Sequence, residues 1–280
     1  MSSTLLQNHH ANTTLAAATN VLLRLGVALI LLCSANLRAE TLTIYHYNPE
    51  SHSDRNLVLK NTFDRYFQSK YNIELQPVEQ RDTFQQLVSQ GNPSLFVMSD
   101  WHYQQLASSM PKLTPYLRGL NNKQDTFHKL LVGKPQASTQ RMTIAVSGAE
   151  AYVASILQEM TFTLSPPPQQ TRLLTVPKDI DALLAVSFGL ADAALATEDS
   201  FEKLSQLYRN EYQQLQILGR SKPQKRLVVV GIDNQLSAVK FALDALEEMD
   251  QTRDGRLGLN LLGLDEWTRL STTQRKGGQQ

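Results

Sequence analysis

The chain alternates short apolar runs with longer stretches in which apolar residues recur at helical spacing. Runs typical of strands lie at 42–47, 94–98 and 226–232. After the first run, Phe63 and Phe67 belong to a set of apolar residues with helical spacing, which predicts an amphipathic helix. A repeated order of strand, helix and strand predicts parallel strands joined by right-handed crossovers. The sequence therefore predicts an α/β fold.

A second α/β unit begins near Arg141, where MTIAVSG predicts a strand and the residues after it predict a helix. Further along, DIDALLAVSFG predicts a helix that ends at Gly189, in the C′ position that glycine favours. Since the length suits two small cores, we predict two lobes, with a single doubly wound sheet as the alternative. The predicted boundaries are 1–39 for a signal peptide, 40–135 for the first part of lobe 1, 136–226 for lobe 2, 227–270 for the return to lobe 1 and 271–280 for a disordered tail.

The N-terminal residues have the pattern of an export signal. Arg24 precedes the apolar run 25–33, and Ala39 is a small residue at the predicted cleavage site. The run is too short to span a bilayer, which needs about 20 apolar residues. We predict a cleavable signal peptide, a periplasmic location and no stable membrane insertion after cleavage. The alternatives are a buried helix or an uncleaved anchor, and translation from near Val21 would give a more compact signal.

Composition and motifs narrow the function further. A formal net charge of +1 gives no nucleic-acid footprint. Neither a GxGxxG motif, a P-loop nor a G-x-S-x-G elbow is present, so we expect no enzyme activity and no cofactor. The histidines lack compact metal-ligand spacing, so we expect no metal site. We also expect Arg118 and Lys123 to lie in a solvated stretch.

Several segments resemble type 2 periplasmic substrate-binding proteins, in the branch of phosphate- and phosphonate-binding components of ABC transporters. The stretch DALLAVSFGLADAAL, at 181–195, resembles the second lobe of that family. LTIYHYNP resembles its first strand, and SLFVMSDWHYQQLA resembles its third strand and the following helix. LGLNLLGLDEWTRL resembles its closing segment. The resemblance covers essentially the whole chain after the predicted signal.

The resemblance implies an α/β, two-lobed periplasmic-binding-protein-like fold, with a parallel-rich sheet in each lobe and a hinge of two crossing segments. We expect the crossings near 132–141 and 218–228. It also implies a monomer that captures a small polar or anionic ligand, phosphate- or phosphonate-like, for an ABC permease. The alternative is a binding-protein-like partner or ligand sensor for a membrane signalling protein.

Ligands in such folds bind at the carboxyl ends of strands, where helices begin. Four such strand exits supply the candidate ligand-binding residues. They are Tyr45, His46 and Tyr47; Ser99, Asp100, Trp101 and Tyr103; Ser147 and Gly148; and Asp192 and Thr197.

Each exit also has a purely structural explanation. Tyr45 and Tyr47 share one strand face and fit a core, and Ser99 or Asp100 fits a helix cap. Ser147 fits an N-cap, and Asp192 fits a carboxylate that accepts from backbone N–H groups within its own lobe. Ser147 is also the one hydroxyl of its loop, and Glu150 nearby would oppose an anion, which disfavours an oxyanion ligand.

Overall fold

The computed structural model describes residues 41–50, 56–68, 71–110, 112–135, 140–163, 169–232 and 235–271. The predicted signal peptide and almost all of the predicted tail lie outside the described residues.

Fourteen strands are present in these residues. They are β1 Leu42–Tyr47, β2 Ile73–Pro77, β3 Leu95–Met98, β4 Leu113–Leu120, β5 Thr126–Phe127, β6 Lys129–Gly133, β7 Arg141–Val146, β8 Thr161–Phe162, β9 Gln170–Thr175, β10 Ala193–Thr197, β11 Gln216–Arg220, β12 Gln224–Lys225, β13 Val228–Ile232 and β14 Glu266–Arg269. The helices are α1 Asn56–Gln68, α2 Arg81–Ser89, α3 Asp100–Ser109, α4 Glu150–Glu159, α5 Asp179–Ser187, α6 Glu198–Leu207, α7 Arg209–Tyr212, α8 Leu236–Glu247 and α9 Arg253–Leu261. A 3₁₀ turn covers Glu248–Gln251.

Two six-stranded sheets form the two lobes. The first has the order β14-β4-β13-β3-β1-β2, and the second has the order β8-β11-β6-β10-β7-β9. In each sheet one half is parallel: β2 and β3 flank β1, and β9 and β10 flank β7. The other pairings are antiparallel. The predicted two-lobed α/β fold is confirmed. The sheets are mixed and not parallel-rich as predicted, because the strands that return after each crossing pair antiparallel with the parallel half.

Each sheet is buried on both faces by helices. In lobe 1, one apolar cluster packs the sheet against α1, α8 and α9, and another packs it against α2 and α3. In lobe 2, one cluster lies under α5 and α6, and the other lies under α4. Strands buried on both faces are expected to be almost wholly apolar, and β3 and β13 have this composition.

The sequence predicted the residue that ends helix α5. Helix α5 ends at Ser187, and Gly189 has a φ of 74°. Its N–H donates to the carbonyl of Val186 at 3.0 Å. Only glycine adopts this left-handed conformation without strain, so the predicted C′ role of Gly189 is confirmed.

The chain passes between the lobes through a small two-stranded sheet. Strand β5 pairs with β12, with Gln224 opposite Phe127 and Lys225 opposite Thr126. Strand β6 already belongs to the second sheet, so the first crossing precedes Lys129, earlier than the predicted 132–141. The reason is that LLVG is a buried strand of lobe 2 and not part of the linker. The second crossing lies inside the predicted 218–228.

Among the residues that the structure describes, no helix has the length and apolar character needed to cross a membrane.

Candidate ligand-binding site between the lobes

A cleft of about 550 Å³ lies where the carboxyl ends of strands from both sheets meet. Lobe 1 contributes His46 and Asn48 from the end of β1, and Glu50 from the loop that follows. Lobe 2 contributes Ser147 and Thr197, which follow or end β7 and β10. Open α/β sheets place ligands at this edge because the strand exits leave polar groups exposed there.

The carboxylate of Asp179, at the start of α5, accepts most of the hydrogen bonds described for the cleft. It accepts hydrogen bonds from the Ser147 hydroxyl at 2.5 Å and from the Thr197 backbone N–H at 2.6 Å. The Lys129 ammonium lies 3.1 and 3.2 Å from its two oxygens. The side chains of Lys129 and Asp179 are only 4% and 11% exposed, so this ion pair is largely removed from water.

Strand register explains how these distant residues meet. Strand β6 runs antiparallel to β10, which places Lys129 directly opposite Thr197. Strand β7 lies on the other side of β10 and parallel to it, so its exit at Ser147 reaches the same edge. Strand β9 is parallel to β7, so the helix that follows it begins at this edge with Asp179.

Electrostatics keep Asp179 ionised. Burial by itself would raise the pKa of this carboxyl. The Lys129 ammonium, and then the hydrogen bonds from Ser147 and Thr197, more than offset that effect and hold the pKa below its ordinary value. Asp179 and Lys129 therefore form a charged pair at neutral pH.

The lobe 1 side of the cleft presents groups that are not paired in this way. The His46 side chain is 8% exposed, and its Nδ1 atom has no hydrogen-bond partner. Burial lowers the pKa of His46 to about 4, so the ring is neutral at pH 7. Burial raises the pKa of Glu50 to about 7, and the nearby Lys129 only partly opposes this rise.

The lobes touch directly beside the cleft. The Ala149 N–H donates to the Pro49 carbonyl at 2.7 Å, joining the start of α4 in lobe 2 to the loop after β1 in lobe 1. A Cβ atom at Gly148 would lie 3.2 Å from the Pro49 oxygen and 3.1 Å from a ring carbon of Tyr152. A side chain at this position would require a small shift of the Pro49 loop or of Tyr152, so glycine favours this close approach.

An aromatic contact also joins the lobes. Trp101, in the first turn of α3, packs edge-on against Tyr152 of lobe 2, with ring centroids 5.6 Å apart. On lobe 1, the Arg81 guanidinium lies 5.7 Å from the Trp101 ring centroid. Trp101 thus belongs to an interlobe contact that also borders the apolar core under α4.

Near the hinge, two ion pairs are linked to each other by a hydrogen bond. Arg118 contacts Asp100 at 2.5 Å, and it also donates to the Arg226 carbonyl at 2.9 Å. The Arg226 side chain then contacts Asp199 of lobe 2 at 2.9 Å. Arg118 is 5% exposed, so the expectation that it lies in a solvated stretch is wrong. The carboxylate of Asp100 supplies the compensating charge that permits its burial.

Comparisons with known proteins bear on this geometry. No family model matches the chain, and no curated protein sequence matches it. Among solved structures, PhnD1 of Prochlorococcus marinus in complex with methylphosphonate gives a TM-score of 0.61 at 10% identity, over 84% of this chain and 94% of that one. A binding-protein component of an ABC phosphonate transporter from Pseudomonas aeruginosa gives 0.58 at 13% identity, over 84% and 83%. XAC2383 of Xanthomonas citri, bound to chloride, gives 0.59 at 14% identity, over 85% and 94%.

The chain has the fold of two-lobed periplasmic binding proteins. At these identities the likeness concerns the fold, and the residues of the cleft have to be judged on their own contacts.

The structure brings three of the predicted site residues into the cleft. His46, Ser147 and Thr197 all line it, from three different strand exits. Ser147 is not the cap of α4, because that position belongs to Ala149. Thr197 does cap α6, since its hydroxyl accepts from the Ser200 N–H at 3.2 Å.

Three predicted aromatic residues pack inside lobe 1. Tyr45 stacks on Phe96 with ring centroids 5.6 Å apart, and Tyr47 lies 5.4 Å from Phe84. Tyr103 is 1% exposed in the same apolar cluster. For Tyr45 and Tyr47, these contacts agree with the alternative given above, in which the two residues share a strand face that belongs to the core.

The other predicted residues have structural contacts. Ser99 caps α3 by accepting from the His102 N–H at 3.2 Å, and Asp100 pairs with Arg118. Trp101 and Gly148 lie at the interlobe contact. Asp192 precedes β10, at the opposite end of that strand from the cleft, and its carboxylate accepts from the Thr143 N–H at 2.7 Å. Contact of any of these residues with a ligand stays a prediction.

Sequence reasoning missed Lys129, Asp179 and Glu50. Asp179 carried a usable signal, because it opens a helix directly after a strand and so lies at the carboxyl edge of the sheet. Lys129 carried none, because its place depends on an antiparallel pairing with a strand more than sixty residues away. In the described part of the chain, no cluster of three or more histidine, cysteine, aspartate or glutamate side chains is arranged to hold a metal ion.

Proposed function

We propose that the chain is a monomeric periplasmic solute-binding protein that holds a small polar solute in its interlobe cleft for delivery to an ABC importer. The observation that carries the proposal is the cleft itself, about 550 Å³ in volume and lined by polar side chains of both lobes. Ligand sites of small molecules have volumes of about 300–1,000 Å³ with a few converging polar groups.

The layout of the chain also supports capture by closure. In the part of the chain that the structure describes, two segments cross between the lobes, and they pair with each other through β5 and β12. Domains joined in this way close around a ligand by rotation about the crossing segments. A solute that contacts Asn48 or Glu50 on one side and Thr197 on the other would favour the closed form.

A solute screen by thermal unfolding tests this proposal. Protein refolded from denaturant, to remove bound solute, is mixed with amines, amino acids, sugars, phosphonates and sulfonates. A true ligand at 100 times its Kd is expected to add about 2.7 kcal/mol to the free energy of unfolding. The matched variants are Asn48→Ala, which alters the cleft, and Lys240→Ala, which alters an exposed helix face far along the chain. A stabilising solute that acts equally on both variants would contradict binding in the cleft.

The second candidate is a binding-protein-like partner of a membrane signalling protein. It is favoured by the contacts that the chain itself makes between its lobes, at Ala149 to Pro49, Trp101 to Tyr152 and Arg226 to Asp199. Such contacts stabilise a closed surface without a transported solute. Small-angle X-ray scattering separates the two candidates: a radius of gyration that falls on addition of a ligand supports import, and one that no solute in the screen alters supports the second candidate.

A further inference from the structure

The donors around Asp179 are those that an external oxyanion would require. They are one hydroxyl, from Ser147, one ammonium, from Lys129, and one backbone N–H, from Thr197. Each comes from a different strand end, and all of them point at the two oxygens of one carboxylate. Charge-assisted hydrogen bonds of this kind are the strong contacts by which proteins hold carboxylates and phosphate-like groups.

A backbone carbonyl of the chain also occupies a neighbouring hydrogen-bond donor, at the start of α4. The start of α4 is the kind of helix terminus that attracts anions, because its first N–H groups lack partners within the helix. Here the Pro49 carbonyl accepts the Ala149 N–H, and Glu150 places a carboxylate in the first turn. The Pro49 carbonyl and the Glu150 carboxylate therefore place a carbonyl dipole and a negative charge at the start of α4.

We propose that the Asp179 side chain occupies an oxyanion-binding position in lobe 2, and that it is a specificity-determining residue that excludes phosphonate- and carboxylate-type solutes from this part of the cleft. The inference deepens the proposed function, on which it rests for the use of the cleft. It disfavours the phosphonate-like ligand implied by the resemblance, because the donors for such a ligand are already engaged by the chain.

Chemical rescue tests this inference. In Asp179→Ala, the three donors lose their acceptor and the variant is expected to unfold at a lower temperature than the natural protein. Formate and methylphosphonate are then expected to raise its Tm saturably, because either anion can occupy the vacated position. The natural protein is expected to show no saturable response to either anion in the same buffer at constant ionic strength.

Three variants serve as controls. Asp179→Asn keeps the shape and loses the charge, so its amide still fills the position and no rescue is expected. Asp192→Ala removes a carboxylate with a single backbone donor at the other edge of the sheet, so no saturable rescue is expected there either. A double variant with Lys129→Met and Asp179→Ala removes both charges, and is expected to fold without anions and to gain nothing from them.

The outcomes are decisive in both directions. Rescue confined to Asp179→Ala, including recovery of folded protein only in formate or methylphosphonate, supports the inference. The inference is overturned by equal rescue of Asp179→Asn or by absence of rescue in Asp179→Ala. It is also overturned if Asp179→Ala recovers in none of these salts while the double variant folds, or if the natural protein binds methylphosphonate saturably. The proposed function is tested separately, by the solute screen on the natural protein, so either can fail alone.

Discussion

Substitution of Glu50 tests directly how much free energy a negative charge costs in the cleft. Its carboxyl is partly buried between the lobes, and burial raises its pKa from 4.5 to about 7. The substitution Glu50→Gln keeps the size and shape of the side chain and removes its titration. The comparison therefore isolates the cost of holding a negative charge at this position.

The magnitude follows from the size of the shift. A rise of this extent corresponds to about 3 kcal/mol, because one pKa unit is worth about 1.4 kcal/mol. The carboxyl is partly exposed to water, which screens its interactions, so we expect about 2 kcal/mol. A raised pKa means that the folded protein prefers the protonated form. The stabilisation is therefore complete below pH 4.5 and is lost as the pH rises through 7.

The assay is urea unfolding of both proteins at pH 5 and pH 8. At pH 5 the two free energies of unfolding are expected to be similar, because protonated Glu50 resembles glutamine. At pH 8, Glu50→Gln is expected to be more stable by about 2 kcal/mol. A difference that is the same at both pH values, or a variant that becomes relatively less stable at pH 8, would refute the reasoning.

Two histidines have pKa shifts opposite in direction to that of Glu50. Their effect on stability has to cancel when the natural protein is compared with Glu50→Gln. Burial lowers the pKa of both His46 and His102 to about 4, so these residues are neutral in the folded protein. Their protonation in the unfolded chain costs stability as the pH falls from 6.5 towards 4. Both proteins carry both histidines, so this effect cancels in the difference. Glu150→Gln, on the exposed start of α4, is the matched control for the loss of one carboxylate.

Three further substitutions probe the interlobe contact, the hinge and the core. Gly148→Leu is expected to push the Pro49 loop away and increase the radius of gyration in solution scattering, since even a Cβ there would lie 3.2 Å from the Pro49 oxygen; an unchanged radius would argue against a tight contact. Arg118→Met leaves Asp100 buried without its partner and is expected to cost about 3–5 kcal/mol in urea unfolding, which a loss below 1 kcal/mol would contradict. Phe63→Ala empties a fully buried position and is expected to cost about 3–5 kcal/mol by the same measurement.

Local sequence patterns predicted the elements and the class of fold. Apolar runs identified strands such as β3 and β13, and helical spacing identified α1, because these signals lie within a few residues of one another. The order of the elements then predicted two α/β units. The antiparallel half of each sheet was not predicted, because pairing such as that of β6 with β10 depends on contacts between distant segments.

The site was only partly predictable for the same physical reason. Asp179 and Asp192 look alike in the sequence, as acidic residues at the border of a helix and a strand. Asp179 follows a strand and opens a helix, which places it at the cleft edge. Asp192 follows a helix and precedes a strand, which places it at the opposite edge. The order of elements thus separates them, whereas the burial of Arg118 depends on Asp100, a partner that no local pattern indicates.

Three basic side chains in or near the cleft are already paired with carboxylates of the chain. Lys129, Arg118 and Arg226 each lie against a carboxylate of the chain, at Asp179, Asp100 and Asp199. Of the other lysines, Lys203 lies exposed at the rim, where water and salt screen its charge. Glu50 differs, because the described residues form no ion pair with it and burial raises the pKa of its carboxyl to about 7. A solute that donates hydrogen bonds to Glu50 would favour its ionised form, so the affinity of such a solute would increase as the pH rises through 7.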